Sequence, residues 1–284
     1  MQTIRQLVSL RETIATLRGE GARIALVPTM GALHAGHIAL IEAAKLVADK
    51  VVASIFVNPK QFAPGEDLAR YPRREQADAR MLADAGCAVL WMPGVDEMYP
   101  AGFATNITVS GVSDGLDGAA RPGHFDGVAT VVAKLFNQVG PDVALFGEKD
   151  FQQLAVIRRM VSDLNLPIEI ISVPTQRDDD GLALSSRNIY LAPDDRTRAV
   201  ALPRALGVAA RVIGQGGDAV QVLATAREAL LSGGFDTVDY VELIDAETLE
   251  PLPDPARPRR LLAAARIAGT RLIDNIAVEP IATT

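Results

Sequence analysis

Apolar residues recur along this chain in two alternating rhythms. Leu10, Ile14 and Leu17 fall at helical spacing and Gly19 and Gly21 end the run, which predicts a helix over 9–18. The run from Arg23 to Val27 is apolar after its first residue and reads as a strand. From Ile38 the period lengthens again. Ile38, Ile41, Ala44 and Ala48 lie on one side and Glu42, Lys45 and Asp49 on the other, an amphipathic helix. Residues 51–57 are apolar at nearly every position, as suits a strand of a parallel sheet covered on both faces, and Asn58-Pro59 stops it. A helix is predicted over 73–85, closed by Gly86, and a strand over 88–92, ended by Pro93-Gly94. Residues 94–124 are rich in Gly, Pro, Asp and Thr and offer one short strand at 105–109. A helix over 126–139, a strand over 143–146, a helix over 151–164 and a strand over 168–173 complete the alternation. Repeated β-α-β order is the signature of a doubly wound α/β sheet.

The texture changes after Pro174. Residues 175–188 are polar and carry no period, and two alanine-rich helical stretches follow at 194–213 and 219–232. Three strand-like runs, 238–244, 260–267 and 270–278, finish the pattern, and the last two meet at Ala268-Gly269, a tight hairpin signal. Antiparallel strands with helices predict a smaller α+β domain, with its boundary within 174–188.

Composition narrows the function classes. The 284 residues, 49% of them hydrophobic, allow one large domain or two unequal ones. Net charge is −7, from 28 Lys plus Arg against 35 Asp plus Glu, which argues against nucleic acid as a partner. Any phosphate site must then be locally basic or dipolar against the overall field. Cys87, the only cysteine, permits no intrachain disulfide and no cysteine-ligated metal cluster, and beside the apolar run 88–92 it reads as a small buried hydrophobe. The first six residues lack the apolar core of a signal peptide, and no window approaches ~20 uninterrupted apolar residues. A cytoplasmic protein without a membrane partner is expected.

In open parallel sheets ligands sit beyond the carboxyl ends of the strands. Polar residues gather at those ends: Met30 to His37 after the first strand, Asn58 and Gln61 after the second, Gly147 to Asp150 after the fourth with Gln153 close behind, and Thr175, Gln176 and Arg177 after the fifth. Together these suit an anionic, hydroxyl-bearing ligand. The first of these groups is the focus. A helix N-terminus offers N–H groups and the positive end of the dipole to a phosphate, Gly31 and Gly36 allow close backbone approach, and His34 and His37 share a helical face. No Walker loop and no Gly-x-Gly-x-x-Gly follows the first strand. If ATP binds, the His-x-Gly-His loop must hold it, which favours attack at the α-phosphorus over γ-phosphoryl transfer. Each residue alone has a plainer structural explanation. Lys149 between Glu148 and Asp150 also reads as a solvated charge run, His124 as a loop histidine, and Ser185-Ser186-Arg187 as turn chemistry. A histidine pair also raises zinc, but no third ligand lies nearby, so no protein-held metal is assigned.

Segment 28–37 resembles the nucleotide motif of the pantothenate synthetase (pantoate–β-alanine ligase) family. Segments 54–62, 71–73, 121–125, 146–153 and 180–188 are similar to further family segments in the same order. Leu184 stands where the motif carries methionine as readily, an apolar exchange of similar size. The resemblance implies a Rossmann-like nucleotidyltransferase domain with a parallel sheet over 1–176 and a C-terminal α+β lid domain over 177–284. It implies ATP-dependent joining of pantoate and β-alanine through a pantoyl adenylate, with AMP and pyrophosphate released, by a homodimer. Carried over by position, Met30, Gly31, Ala32, Leu33, His34, Ala35, Gly36 and His37 bind ATP, with His37 the catalytic residue. Gly147, Glu148, Lys149, Asp150, Gln176, Leu184, Ser185, Ser186 and Arg187 match further ATP positions. Gln61 and Gln153 match those for pantoate, with Gln61 near β-alanine as well.

On this reading His34 and His37 donate to the oxygens around the α-phosphorus, Lys149 and Arg187 add positive charge, and Mg²⁺ is bound mainly through the ATP phosphates. The sequence leaves open whether His37 transfers a proton or only donates a hydrogen bond. It also leaves two competing functions: another His-x-Gly-His nucleotidyltransferase acting on a small phosphorylated substrate, and a non-catalytic nucleotide-binding module. The 174–188 segment, expected to be flexible, is the candidate moving part.

Overall fold

The computed structural model describes residues 1–279, so the end of the expected C-terminal domain, 280–284, lies outside the described residues. Two compact units are present. One comprises Met1–Glu148 with Gln153–Pro174, and the other Lys149–Gln152 with the chain from Thr175 onward.

The first unit is built on a six-stranded sheet. In chain order it contains β1 (Gln2–Ile4), α1 (Leu7–Gly19), β2 (Ile24–Thr29), α2 (Ala35–Val47), β3 (Lys50–Ile55), α3 (Glu75–Asp84) and β4 (Val89–Trp91). Two short helices, α4 (Val95–Met98) and α5 (Leu116–Ala120), then precede α6 (His124–Val139), β5 (Val143–Gly147), α7 (Phe151–Asp163), whose first two residues belong to the other unit, and β6 (Glu169–Val173). Strand order is β1-β4-β3-β2-β5-β6 and every pairing is parallel. The chain winds outward from β2 to β4 and then returns to place β5 on the other side of β2. That reversal opens a crevice at the carboxyl ends of β2 and β5, where α/β proteins bind ligands.

The central strands are apolar throughout because helices cover both faces. Ile24 to Val27, Val52, Ala53, Leu90, Trp91 and Val143 to Leu145 are all fully buried. One face packs on Ile41 and Ala44 of α2 and Leu82 of α3. Helix α6 is buried on nearly all sides. It accepts a hydrogen bond from the Trp91 indole at Gln138, 3.0 Å, and ends at Gly140 in the left-handed region. Cys87 is buried as expected, and burial pushes its thiol up to about 12, so it stays protonated and inert.

In the second unit α8 (Pro193–Ala199), α9 (Ala201–Gly214) and α10 (Ala219–Ser232) precede β7 (Thr237–Asp245), β8 (Arg259–Ile267) and β9 (Thr270–Val278). The strands form an antiparallel sheet in the order β7-β8-β9. Its inner face, with Leu243, Leu261, Ala263 and Leu272, shares a core with Leu202, Leu206 and Leu230 of the helices. Ala268 and Gly269 both have positive φ, 47° and 75°, the backbone that a two-residue type I′ hairpin requires.

Four local expectations change. Strand β1 was not anticipated, since three residues are too few to show a period; it pairs with β4 at the sheet edge. Residues 105–109 form no strand: the Ile107 N–H donates to Thr130 Oγ1 of α6, 2.9 Å, instead of to a neighbouring strand. The helix expected over 194–213 breaks at Val200, because the ring of Pro203 excludes the carbonyl of residue 199 from a continuous helix. Helix α2 starts three residues before its apolar period, with His34 as its N-cap. Among the described residues no helix is long and apolar enough to cross a membrane.

Gly127 of α6 is where the fold admits the loop after β3. A Cβ there would lie 2.4 Å from the Lys60 carbonyl oxygen and 2.7 Å from Gln61 Cα. Gly127→Ala is therefore expected to push the 59–61 turn off the helix and to cost ~1–3 kcal/mol, as overpacking does. Thermal unfolding checks this, at roughly 2–4 °C per kcal/mol for a domain of this size.

Candidate active site

The loop after β2 is held by groups that come from elsewhere in the fold. Thr29, its last strand residue, donates to the Ser54 carbonyl (2.7 Å) and accepts from the Gly31 N–H (3.2 Å). Gly31 turns the chain at φ +81°, and a Cβ there would lie 3.1 Å from Asp78 Oδ2 and 3.2 Å from Ile55 Cγ2. The Asp78 carboxylate, 1% exposed, accepts the N–H groups of Ala32 (2.8 Å) and Leu33 (3.0 Å). Hydrogen bonds to a buried carboxylate contribute ~1.5–3 kcal/mol each, so Asp78 fixes the path of the loop. Sequence reasoning missed it. The available signal was a carboxylate at helical spacing with Leu82 and Ala85, on the buried side of α3.

The two histidines form a reciprocal cap on α2. His34 Nδ1 accepts from the Gly36 N–H at 3.1 Å, and His37 Nδ1 accepts from the His34 N–H at 3.3 Å. The rings lie 4.1 Å apart, tilted at 45°. An Nδ1 that accepts a hydrogen bond carries no proton, so these bonds assign each neutral ring its N–H at Nε2. The N–H groups of Gly31, Ala32, Leu33, His34 and Gly36 donate within the protein. The anion-binding backbone cradle expected at this helix start is thus largely turned to shaping the loop.

Gln61 is fixed on both sides. Its Oε1 accepts from Asn58 Nδ2 (2.9 Å) and its Nε2 lies 3.2 Å from Met30 Sδ, so the second loop meets the first. Asn58 is in turn oriented by donation to the Gly127 carbonyl (3.1 Å) and by acceptance from the Tyr99 hydroxyl (2.8 Å). Burial pushes the Tyr99 phenol up, which keeps it a donor. The Gln61 carbonyl accepts from His124 Nδ1 (2.8 Å) and from Arg121 (3.3 Å). Arg121 also binds His124 Nε2 (3.0 Å) and grips Glu66 with two bonds, 2.6 and 2.7 Å. His124 thus holds the Gln61 main chain, a role its position in a glycine-rich loop did not reveal.

Gly147 and Glu148 close β5, and Gln153 lies on the first turn of α7; all three belong to the first unit with Met30 to His37 and Gln61. A cavity of about 220 Å³ opens at the carboxyl ends of β2, β3 and β4, lined by Met30, Gly31, Arg73, Arg74 and Asp78 among others but by neither histidine nor Gln61 and by no residue of β5. It is smaller than the ~300–1,000 Å³ usual for ligand pockets.

Lys149, Asp150, Gln176, Leu184, Ser185, Ser186 and Arg187 belong to the second unit. The segment expected to be a period-free loop is folded as a hairpin. Arg177 and Ala183 form a bridge, the Leu184 N–H donates to the Gln176 carbonyl (2.9 Å), and Gly181 turns the chain at φ +91°. Arg177 pairs with the Asp274 carboxylate through two bonds of 2.8 Å, and Arg196 holds Asp178 and Asp180. Ser185 caps the turn Ser186–Tyr190 by accepting from the Arg187 N–H, 3.2 Å.

The His124 contacts make stability depend on pH. Burial, then the charge of Arg121, pushes the imidazole from 6.5 down to about 4, against the smaller pull of Gln61, Asp117 and Glu66. Between those values the unfolded chain binds more protons than the folded one, so this contribution is complete above pH ~6.5 and is lost as pH falls through ~4. The thermal midpoint is expected to drop across that window, and His124→Asn, which keeps a donor for the Gln61 carbonyl, to drop less steeply.

The chain resembles known proteins over nearly all its length. Residues 2–277 match the model of the pantoate–β-alanine ligase family. A pantothenate synthetase of Rhizorhabdus wittichii is 64% identical over 280 residues, which cover 99% of either chain. The crystal structure of pantothenate synthetase from Thermus thermophilus superposes with a TM-score of 0.94 at 49% identity, over 99% of this chain and 100% of that one. That of pantoate–β-alanine ligase from Francisella tularensis, complexed with β,γ-ATP and β-alanine, gives 0.84 at 34% identity, over 98% and 97%. The chain belongs to the pantoate–β-alanine ligase family, and its reaction is the ligation of pantoate to β-alanine.

Proposed function

We propose that the ligation runs in two steps on ATP, and that the histidine pair serves the first. A pantoate carboxylate oxygen attacks the α-phosphorus and the bond to the bridging oxygen breaks, releasing pyrophosphate and leaving pantoyl adenylate. The β-alanine amine then attacks the acyl carbon, AMP leaves with the electron pair of the acyl C–O bond, and the amine gives up a proton. ATP as the activating substrate is supported by the Francisella relative, solved with β,γ-ATP and β-alanine.

The reciprocal cap at the start of α2 carries this reading. Because Nδ1 of both rings accepts a main-chain N–H, His34 and His37 are neutral donors through Nε2. An imidazolium would set an Nδ1–H against that main-chain N–H. We therefore assign His37 hydrogen-bond donation to the equatorial oxygens, with no change of protonation. Lys149 and Arg187 add full charge toward the pyrophosphate, and Ser185 and Ser186 add neutral donors. Met30 to Gly36, Gly147, Glu148, Asp150, Gln176 and Leu184 complete the nucleotide contacts.

Gln61 and Gln153 take pantoate, Gln61 with β-alanine nearby. The Gln61 Oε1 is committed to Asn58 while its Nε2 meets a sulfur in Met30. Sulfur is a weak acceptor, so this amide gives up that contact readily to a carboxylate or hydroxyl. Among the described residues no group of three or more His, Cys, Asp or Glu could hold a metal ion. We accordingly take magnesium as a companion of the triphosphate, bound through phosphate oxygens, where it neutralises charge. The proposal extends to a cytoplasmic homodimer and to the C-terminal domain as a lid that keeps water from the adenylate.

Protein mixed with ATP, Mg²⁺, pantoate and β-alanine is expected to yield pyrophosphate, AMP and pantothenate together. A nucleotide retained on the product, or pyrophosphate with no need for either acid or amine, would overturn the two-step reading. His37→Ala is expected to lower turnover by ~10²-fold or more, as removal of a positioned donor does. Turnover within a few-fold of the parent would show that the pair does not carry the chemistry.

A further inference from the structure

We infer that Asp274 and Asn275 of β9 are positioning residues, which set Lys149 and the Ser185–Arg187 turn on one rigid strand. The inference rests on the reading that these groups handle the triphosphate. Asp274 is 3% and Asn275 2% exposed. In a strand, adjacent side chains point to opposite faces. Asp274 falls on the parity of Leu272 and Ile276, which pack on the helix core, and Asn275 on the other. Each face of this strand therefore buries a polar group, and each is satisfied by a segment that carries candidate chemistry.

Asp274 accepts both arms of the Arg177 guanidinium at 2.8 Å, and the same guanidinium donates to the Gly181 carbonyl (3.0 Å) and the Asn275 carbonyl (3.2 Å). This fastens the hairpin 176–184, whose end is Ser185. Asn275 Nδ2 donates to the Lys149 carbonyl at 2.9 Å, while its Oδ1 accepts from Arg260 Nε at 2.7 Å. The Arg260 guanidinium also lies over the Phe151 ring, 4.5 Å from its centroid. The segment 149–151 is thus held at its main chain and at an aromatic ring by β8 and β9. The Asn275 N–H donates to Asp274 Oδ1 at 2.7 Å, joining the two halves.

The sheet has no need of these groups for its own pairing, since β9 pairs with β8 residue by residue from Thr270 to Val278. A well-packed apolar pair would suit a buried strand as well, and buried ion pairs are weak sources of stability. What they add is a fixed spacing between the main chain of Lys149 and the turn bearing Arg187. Two donors aimed at one triphosphate are effective only when held to within a fraction of an ångström.

Asn275→Asp keeps the shape and the Arg260 partner but replaces the N–H₂ that meets the Lys149 carbonyl with an oxygen that repels it. Rapid quench of protein with ATP, Mg²⁺ and pantoate measures the first pyrophosphate burst, and addition of β-alanine to the adenylate then formed measures the second step. The variant is expected to keep the parent's thermal midpoint within a few degrees. It should slow the burst ~10-fold or more, raise the KM for ATP, and leave the second step within about twofold. Equal slowing of both steps, or a burst within twofold of the parent, overturns the inference. If Asn275→Asp fails to fold, Asn275→Ala under the same readout decides it, and Arg177→Lys, which loses the paired contact to Asp274, is expected to slow the burst likewise. A parent enzyme that releases no pyrophosphate with pantoate would instead sink the two-step reading itself.

Discussion

A buried carboxylate decides where the histidines stand. Asp78 reaches from α3 to take the main-chain N–H groups of Ala32 and Leu33, and Gly31 has no side chain to obstruct it. With the loop bent by these bonds, His34 arrives at the start of α2 with the extended backbone of an N-cap, and His37 follows one turn later. The two rings then cap the helix reciprocally, each with its Nδ1 against a main-chain N–H. The loop's main-chain donors shape the loop, and the proposed substrate contacts fall to the imidazoles. Positive φ at Gly31 and Ala32 is tolerated because the bonds around them over-determine the turn.

The same pattern recurs at Gln61, the proposed pantoate residue. Gln61 is an ordinary amide until Asn58 takes its oxygen and His124 and Arg121 take its carbonyl. The Glu66 carboxylate, opposed by burial but favoured more strongly by two bonds and the charge of Arg121, stays below the usual carboxylate range and keeps Arg121 in place. In the second unit Asp274 and Asn275 do the corresponding work for the hairpin and for Lys149. In each case the segment bearing a proposed site group is held by a polar partner from a distant part of the chain. Buried polar groups must be satisfied, so such partners specify one arrangement and penalise others.

Much of the architecture could be read from periodicity. The βα alternation, the change of texture after Pro174 and the hairpin at Ala268-Gly269 all follow from local rules of side-chain direction and backbone freedom. Failures came where a local rule met a longer-range one. Helix 194–213 obeys helical spacing but cannot pass Pro203 unbroken, and 105–109 has strand-like residues but spends its Ile107 N–H on Thr130. The polar segment 175–188 carries no period because its order comes from ion pairs, which leave no rhythm in the sequence.

For the proposed site, the candidate donors are legible in the sequence alone: two histidines at helical spacing after a glycine turn, glutamines after strand ends, and a lysine and an arginine in polar segments. The sequence also excluded the Walker and dinucleotide alternatives, because those need glycines and a lysine that are absent here. The fold added what the spacing does not show: which end of the Gln61 amide is committed, and that Asp78 and His124 in the first unit, and Asp274 and Asn275 in the second, hold the segments that carry the candidate donors. The reason is physical. Residue type and spacing fix what a side chain can donate, whereas the placement of the segment that carries it depends on partners far along the chain, as with Asp78 for residues 32 and 33 and Asn275 for Lys149. Those partners meet only when the sheet and its helices have closed.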